Sequence, residues 1–389
     1  MSAAERATWG ERVASATDRL EADARWRRPL TFDALGPAGV LTEDGETVVA
    51  FASNDYLGLS AHPVVVAAAH DALDRWGTGA GASRLVTGSR PVHERLEQAL
   101  ARHTGADRAV VFPTGFAANL GVLTAFGDTG VRICSDELNH ASIVDGARLA
   151  RAEVAVYHHR DVEHLETLLR QASGPSLVVT DLVFSMDGDV APVADIAALC
   201  RQYGSLLVLD EAHAVLGPDP RPHLEGVDVL RMGTLSKTLG SLGGYVAGPG
   251  PFVDLLVNRA RSYIFTTAPT PPDAAAALAA LGVVSSPEGD RLRARLARLV
   301  GLVAPGHETP IVPVVMGSDE RALAASAALR RRGVWVPAIR PPTVPVGTAR
   351  LRVSLSAAHT DAQVALLVEA LADVDDDFGA TPRRTSAVP

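Results

Sequence analysis

The residues with the clearest chemical potential fall in two short stretches. One is Gly233-Thr234-Leu235-Ser236-Lys237-Thr238-Leu239-Gly240, a lysine among small and hydroxyl residues, bounded by glycines. The other spans residues 206–213, an apolar run ending in Asp210 and His213. A free lysine has a pKa of about 10.4 and is protonated at neutral pH, so one that serves as an amine nucleophile needs a special setting. A lone loop lysine is normally only solvated. A carboxylate and a histidine three residues apart at a strand end change that reading. Lys237 would hold an aldehyde, Asp210 would meet a pyridinium nitrogen, and His213 would donate to a phenolic oxygen. These are the groups that pyridoxal 5′-phosphate (PLP) requires.

Further residues fill the remaining roles. A phosphate takes backbone N–H groups at a helix N-terminus together with hydroxyls. Thr114-Gly115-Phe116 opens a helix directly after a strand, and Thr234 and Ser236 are candidate hydroxyls. His140, just past the strand read at 131–134, can cover one face of the ring. Ser185, in Phe184-Ser185-Met186-Asp187-Gly188-Asp189, is a second candidate for the phenolic oxygen; its plainer alternative is a turn serine. An amino-acid carboxylate calls for an arginine fork. Arg350 and Arg352 share one face of a strand, where the alternative is a pair of surface charges on a sheet edge.

The elements that must position these groups alternate. Apolar runs at 109–112, 131–134, 154–157, 177–179, 206–209, 229–232 and 245–247 read as strands. Helical stretches at 117–126, 142–150, 162–171 and 193–203 fall between most of them. This predicts an α/β protein with a mainly parallel seven-stranded sheet and helices on both faces, which binds ligands at the carboxyl ends of its strands. Residues 77–89 are glycine-rich but follow a helix, at 63–76, so a dinucleotide fingerprint does not apply. Upstream, residues 3–28 read as a helix and 40–49 as a hairpin. From residue 288 the texture becomes α+β, with helices at 288–303, 320–332 and 361–372 and strands at 311–315, 334–337 and 350–355. The expected domains are an N-terminal helix and hairpin at 1–45, a large α/β domain at 46–285, a small C-terminal domain at 286–374 and a disordered tail at 375–389.

Composition narrows the partners. A net charge of −9 and a pI near 5.7 argue against nucleic acid or an anionic membrane as the main partner. Cys134 and Cys200 lie in apolar stretches and read as buried thiols, and no zinc-ligand spacing occurs. No basic-then-apolar leader begins the chain, and no apolar run approaches the roughly 18 residues that span a bilayer, so a cytoplasmic enzyme is expected.

Together, Ser53-Asn54-Asp55-Tyr56-Leu57-Gly58-Leu59, Thr114-Gly115-Phe116-Ala117-Ala118-Asn119, Asn139-His140-Ala141-Ser142, Asp210-Glu211-Ala212-His213 and Thr234-Leu235-Ser236-Lys237 resemble the α-oxoamine synthases, which are fold type I PLP enzymes. Residues 338–345 and 347–352 are similar to the members that join L-alanine to a pimeloyl thioester, on coenzyme A or acyl-carrier protein, in biotin biosynthesis. The resemblance implies a homodimer with active sites at the subunit interface, where Thr267 reaches the phosphate bound by the neighbouring subunit. It implies that Lys237 first holds the aldehyde and then removes the alanine Cα proton, and that Arg352 (or, failing it, Arg350) takes the alanine carboxylate. Asn54, His140 and Thr343 match substrate-contacting positions, as does Arg25, although Arg27 and Arg28 leave that register open. A synthase joining glycine to acetyl-CoA, a fold type I aminotransferase and a silent PLP-binding scaffold are the rival readings; the proline-rich 340–345 loop argues against the first.

Overall fold

The structure is a computed structural model that describes residues 7–378, without the side chains of 375–378. The chain forms two compact units: one of Ser53–Ile311 with Leu355–His359, the other of the N-terminal segment through Ala52 with Val312–Ser354 and the chain from Thr360 onward.

The larger unit is built on seven strands: β1 (Arg108–Phe112), β2 (Arg132–Asp136), β3 (Glu153–Tyr157), β4 (Ser176–Asp181), β5 (Leu206–Asp210), β6 (Val229–Thr234) and β7 (Gly244–Gly248). Their spatial order is β1-β7-β6-β5-β4-β2-β3. β7 runs antiparallel to both neighbours, and the pairs β2–β3, β2–β4, β4–β5 and β5–β6 are parallel. The expected mainly parallel seven-stranded sheet is present.

Alternation along the strands shows why both faces are covered. Leu177, Val179 and Val208 pack in one buried cluster with helices Gly115–Phe126, Ala141–Leu149 and Gly250–Arg259. Val178, Leu207 and Leu209 face the opposite cluster, with helices Val162–Arg170 and Val193–Tyr203. Cys134 and Cys200 are free and buried in this second cluster. Helix Pro91–Thr104, which sequence reasoning did not single out, has the proline start and left-handed Gly105 cap of an ordinary helix.

The smaller unit pairs Ala38–Leu41 with Glu46–Ala50 as the expected hairpin, and Phe32–Ala34 and Val334–Trp335 extend that sheet to four strands. A second, three-stranded sheet places Ala349–Ser354 between Ile311–Gly317 and Ala338–Ile339. The divisions differ from those read in the sequence. The parallel pairing of Val334 with Val49 draws residues 46–52 into the smaller unit. Helix Pro287–Val303 belongs to the larger one, because Arg295 donates to the carbonyls of Ala357 and His359 at 2.9 and 2.6 Å. The N-terminal helix is shorter than 3–28: it starts at Trp9 behind a Thr8–Glu11 capping box and ends at Ala22, before Ala24 turns to a positive φ of 53°. The final helix, Asp361–Phe378, runs into the segment expected to be a tail; residues 379–389 lie outside the described residues. Among the described residues no helix is long and apolar enough to cross a membrane.

Candidate active site

At the carboxyl ends of the parallel strands lies a cavity of about 190 Å³, lined by Thr114, Gly115, Phe116, Asn119, His140, Ser142, Asp181, Asp210, Ala212, His213, Met232, Thr234, Ser236 and Lys237. Each wall follows from the topology. β5 ends on Asp210, β4 ends on Asp181 beside it in register, and β6 ends on Thr234 and runs into the lysine turn.

That turn is held from behind. Gly240 has a φ of +57°, and a Cβ there would lie 2.3 Å from the Ser60 nitrogen, so the backbone packs where no side chain fits. The Asp55 carboxylate fixes the opposing segment by accepting from the Leu59 and Ser60 amides at 2.8 and 3.1 Å.

Lys237 Nζ stands 2.8 Å from His213 Nε2, and His213 Nδ1 stands 2.6 Å from the fully buried Tyr56 hydroxyl. The Tyr56 hydroxyl donates to Asn54 Oδ1 at 3.0 Å. With that proton used, Nδ1–H must donate to the Tyr56 oxygen, which leaves Nε2 to accept from the lysine amine. The order Lys237–His213–Tyr56–Asn54 thus has one consistent direction.

Asp210 is 2% exposed; its Oδ2 accepts from Asn119 Nδ2 at 2.8 Å and its Oδ1 from the Ala212 amide at 2.9 Å. Beside it, burial and then the Asp210 charge hold the Asp181 carboxyl well above the usual carboxylate range. Asp181 accepts the His140 backbone N–H at 2.9 Å. Burial lowers the His140 imidazole from its ordinary value; the Asp210 charge opposes this and Lys237 reinforces it.

Thr114 caps helix Gly115–Phe126 by accepting the Ala117 amide at 3.0 Å. Thr234 Oγ1 donates to the Gly243 carbonyl at 2.9 Å and accepts from the Ser236 amide at 3.2 Å, with Ser236 Oγ 2.8 Å away. A Cβ on Gly244 would come within 2.6 Å of the Gly115 nitrogen, so glycine at 244 lets the helix start pack there, beside the Thr234 hydroxyl. This cradle suits a phosphate, and the acceptor-only oxygens of Asp210 suit a protonated ring nitrogen.

Two kinds of comparison identify the family. Residues 46–371 match the family model for aminotransferase class I and II. The chain belongs to that family. It is 50% identical over 386 residues to 8-amino-7-oxononanoate synthase of Anaeromyxobacter sp. (strain K), covering 94% of this chain and 96% of that protein. With 8-amino-7-oxononanoate synthase of Geobacter sulfurreducens it shares 47% identity over 386 residues, 94% of this chain and 98% of that one. Among solved structures, serine palmitoyltransferase from S. paucimobilis with a bound PLP–myriocin aldimine superposes with a TM-score of 0.88 at 29% identity, covering 96% of this chain and all of that one. 8-Amino-7-oxononanoate synthase from Francisella tularensis gives 0.71 at 26% identity, covering 85% and 98%. The chain is therefore a fold type I PLP-dependent acyltransferase of the α-oxoamine synthase group, and its cofactor is PLP. The higher superposition score belongs to the palmitoyltransferase, but 50% identity along nearly the whole chain weighs more for side-chain chemistry than backbone agreement at 29%.

Of the residues singled out in the sequence, Thr114, Gly115, Phe116, His140, Asp210, His213, Thr234, Ser236 and Lys237 line one cavity. Asn54 stands behind it, bonded to Tyr56. Ser185 and Thr267 are not among the lining residues: Ser185 is buried in the loop closed by the Val183–Val190 bridge, and Thr267 is exposed. Arg25, Thr343, Arg350 and Arg352 belong to the smaller unit. There Arg350 and Arg352 are each 5% exposed on the central strand of a sheet, not the surface charges of an edge. Arg350 Nε donates to the Thr348 carbonyl at 3.0 Å, and Arg352 donates to Ser354 Oγ at 2.7 Å. Arg25 is 3.9 Å from Asp319, and Thr343 donates its amide to the Arg340 carbonyl at 3.1 Å.

Sequence reasoning did not single out Asp181, and it quoted Asn119 and Ser142 within motifs without giving either a role. It also passed over a plainer signal: among 36 lysines and arginines, Lys237 is the one lysine in the chain.

Proposed function

We propose that this enzyme joins L-alanine to a pimeloyl thioester, carried on coenzyme A or acyl-carrier protein, and yields 8-amino-7-oxononanoate, carbon dioxide and free thiol for biotin biosynthesis in the cytoplasm. The observation that carries the reading is 50% identity over 386 residues to 8-amino-7-oxononanoate synthase, on a chain whose Lys237, Asp210, His213 and His140 share one cavity.

In this reading Lys237 Nζ is the group that would hold the cofactor's aldehyde and, as a free amine, would take the alanine Cα proton. PLP when bound supplies the electron sink that makes that proton acidic. Asp210 would hold the ring nitrogen and His140 would cover one ring face. His213 and Ser185 would serve the phenolic oxygen; for His213 this takes a proton on Nε2 in place of the hydrogen bond it accepts from Lys237. Thr114, Gly115, Phe116, Thr234 and Ser236 receive the phosphate, with Thr267 supplied by a second copy. Arg352 binds the alanine carboxylate, with Arg350 as its alternate; Arg25, Asn54 and Thr343 serve the substrates. A homodimer is supported by large apolar side chains left exposed on the larger unit: Leu85, Val86, Phe116, Leu242 and Phe265.

The test is release of thiol and carbon dioxide from L-alanine with pimeloyl, acetyl or succinyl thioesters. Preference for the pimeloyl donor supports the reading. Amino transfer without thiol release would replace it with the aminotransferase chemistry that the family model also covers.

A further inference from the structure

Along the cavity wall a buried path joins two groups of the site that are far apart in sequence. Asn119, 0% exposed, donates from Nδ2 both to Asp210 Oδ2 at 2.8 Å and to Ser142 Oγ at 2.9 Å. Ser142, 1% exposed, stands with its Oγ 2.7 Å from His140 Nδ1. The Ser142 amide also donates to His140 Nδ1, at 3.2 Å.

Counting protons fixes every direction on this path. An ionised carboxylate only accepts, so the amide nitrogen of Asn119 must face Asp210; its flipped form would oppose two oxygens. Both Nδ2 protons are then used, and Ser142 Oγ accepts the second. The Ser142 hydroxyl proton is left for His140 Nδ1, which therefore carries none. The one ring proton sits on Nε2, and the burial that lowers this imidazole keeps it neutral.

We propose that Asn119 and Ser142 are positioning residues that hold His140 as a neutral imidazole with its proton on Nε2, their orientation being set by the charge on Asp210. The ring offered to the cofactor is then uncharged, and its sole donor is fixed before substrate arrives. The same carboxylate that meets the ring nitrogen thereby specifies which nitrogen of His140 donates. This inference rests on the PLP assignment and not on which acyl donor is used.

The test is nitrogen NMR of the full chain labelled with ¹⁵N-histidine, before and after PLP is added, with the His140 signals assigned by their loss in His140→Gln. The wild type should show an unprotonated Nδ1 and a protonated Nε2 near neutral pH. In Ser142→Ala and Asn119→Leu the two nitrogens should move toward averaged shifts and His140 should take up a proton at higher pH, while Ser142→Thr restores the wild-type pattern. In turnover, Ser142→Ala should lower kcat by roughly tenfold, the effect of one lost hydrogen bond to the site, with KM for L-alanine changed less than about twofold. A wild-type proton on Nδ1 overturns the proposal, and that measurement needs no variant to fold. Unchanged shifts and titration in both Ser142→Ala and Asn119→Leu overturn it as well. Absence of turnover with any pimeloyl donor would contradict the proposed substrate, whereas the proton positions read by NMR would still decide the role of Asn119 and Ser142.

Discussion

His159 is held between two carboxylates, and its pH behaviour can be worked from the structure. Nδ1 lies 3.0 Å from Asp136 Oδ1 and Nε2 lies 2.7 Å from Asp189 Oδ2, so both ring nitrogens must donate and the ring must be charged. Asp136 is 2% exposed and also takes the amides of Leu138 and Arg160, each at 2.9 Å. Arg160 approaches Asp189 at 3.4 Å, and the Phe184 ring meets the imidazole edge-on at 4.4 Å. Burial alone would lower the pKa of His159, but the hydrogen bonds and charges of Asp136 and Asp189 prevail and raise it to about 9. A folded value above the unfolded one means stability that is complete below about 6.5 and lost as pH climbs through about 9. The difference corresponds to about 3 kcal/mol. Urea unfolding at about pH 6 and about pH 9.5, at fixed salt, should therefore show the wild type losing about 3 kcal/mol more than His159→Gln over that interval. An equal loss in both proteins would refute the reasoning. The clamp joins the segment leading from β2 to His140 with the loop that carries Ser185, so PLP affinity of the wild type should weaken over the same alkaline range.

Four further outcomes follow from the site. Lys237→Ala should abolish turnover and leave no residue to trap PLP on borohydride reduction, with the circular dichroism spectrum unchanged; turnover near the wild-type level would contradict the role given to the amine. Asp210→Asn should lower kcat by at least about 100-fold, as expected when a charge aimed at the reacting system is removed, and steady-state kinetics on the folded variant checks it. Gly240→Ala should lower stability by roughly 1–3 kcal/mol, because the left-handed backbone and the Ser60 nitrogen at 2.3 Å both oppose a Cβ; thermal unfolding reads the loss. Asp181→Asn keeps an acceptor for the His140 amide and should fold near normally, whereas Asp181→Leu leaves that N–H unpaired and should cost about 1–3 kcal/mol in the same assay.

Much of this site is legible in the sequence because its residues occupy strand ends, and alternating apolar runs locate those ends. Asp210 ends such a run, the Thr234–Lys237 turn begins at the end of another, and His140 lies four residues past the end of β2. Asp181 has the same placement, yet its importance depends on β4 lying beside β5, a neighbour relation that sheet order sets and local pattern does not. Asn119 and Ser142 are hidden for a related reason: each sits within a helix, and what it touches depends on how two helices meet. Helix Pro91–Thr104 is readable, since Val92, Leu96 and Leu100 give it a buried stripe and proline and glycine bracket it. The domain divisions are not, because a strand at 334–335 pairs with one at 46–50 across nearly the whole chain. The buried Arg350 and Arg352 show the limit of composition: a charged pair on a strand reads as surface until the sheet around it is known.

The solitary lysine has a practical and an evolutionary side. Nearly every basic side chain here is a guanidinium, which neither forms imines with simple aldehydes nor acylates readily at neutral pH. Aldehydes, activated esters and amine-directed crosslinkers thus find one internal target, and with Lys237 engaged they find none apart from the chain's own α-amino group. A protein arranged in this way cannot misplace its cofactor onto a neighbouring ε-amine, and any mass added to a lysine lies at the catalytic position.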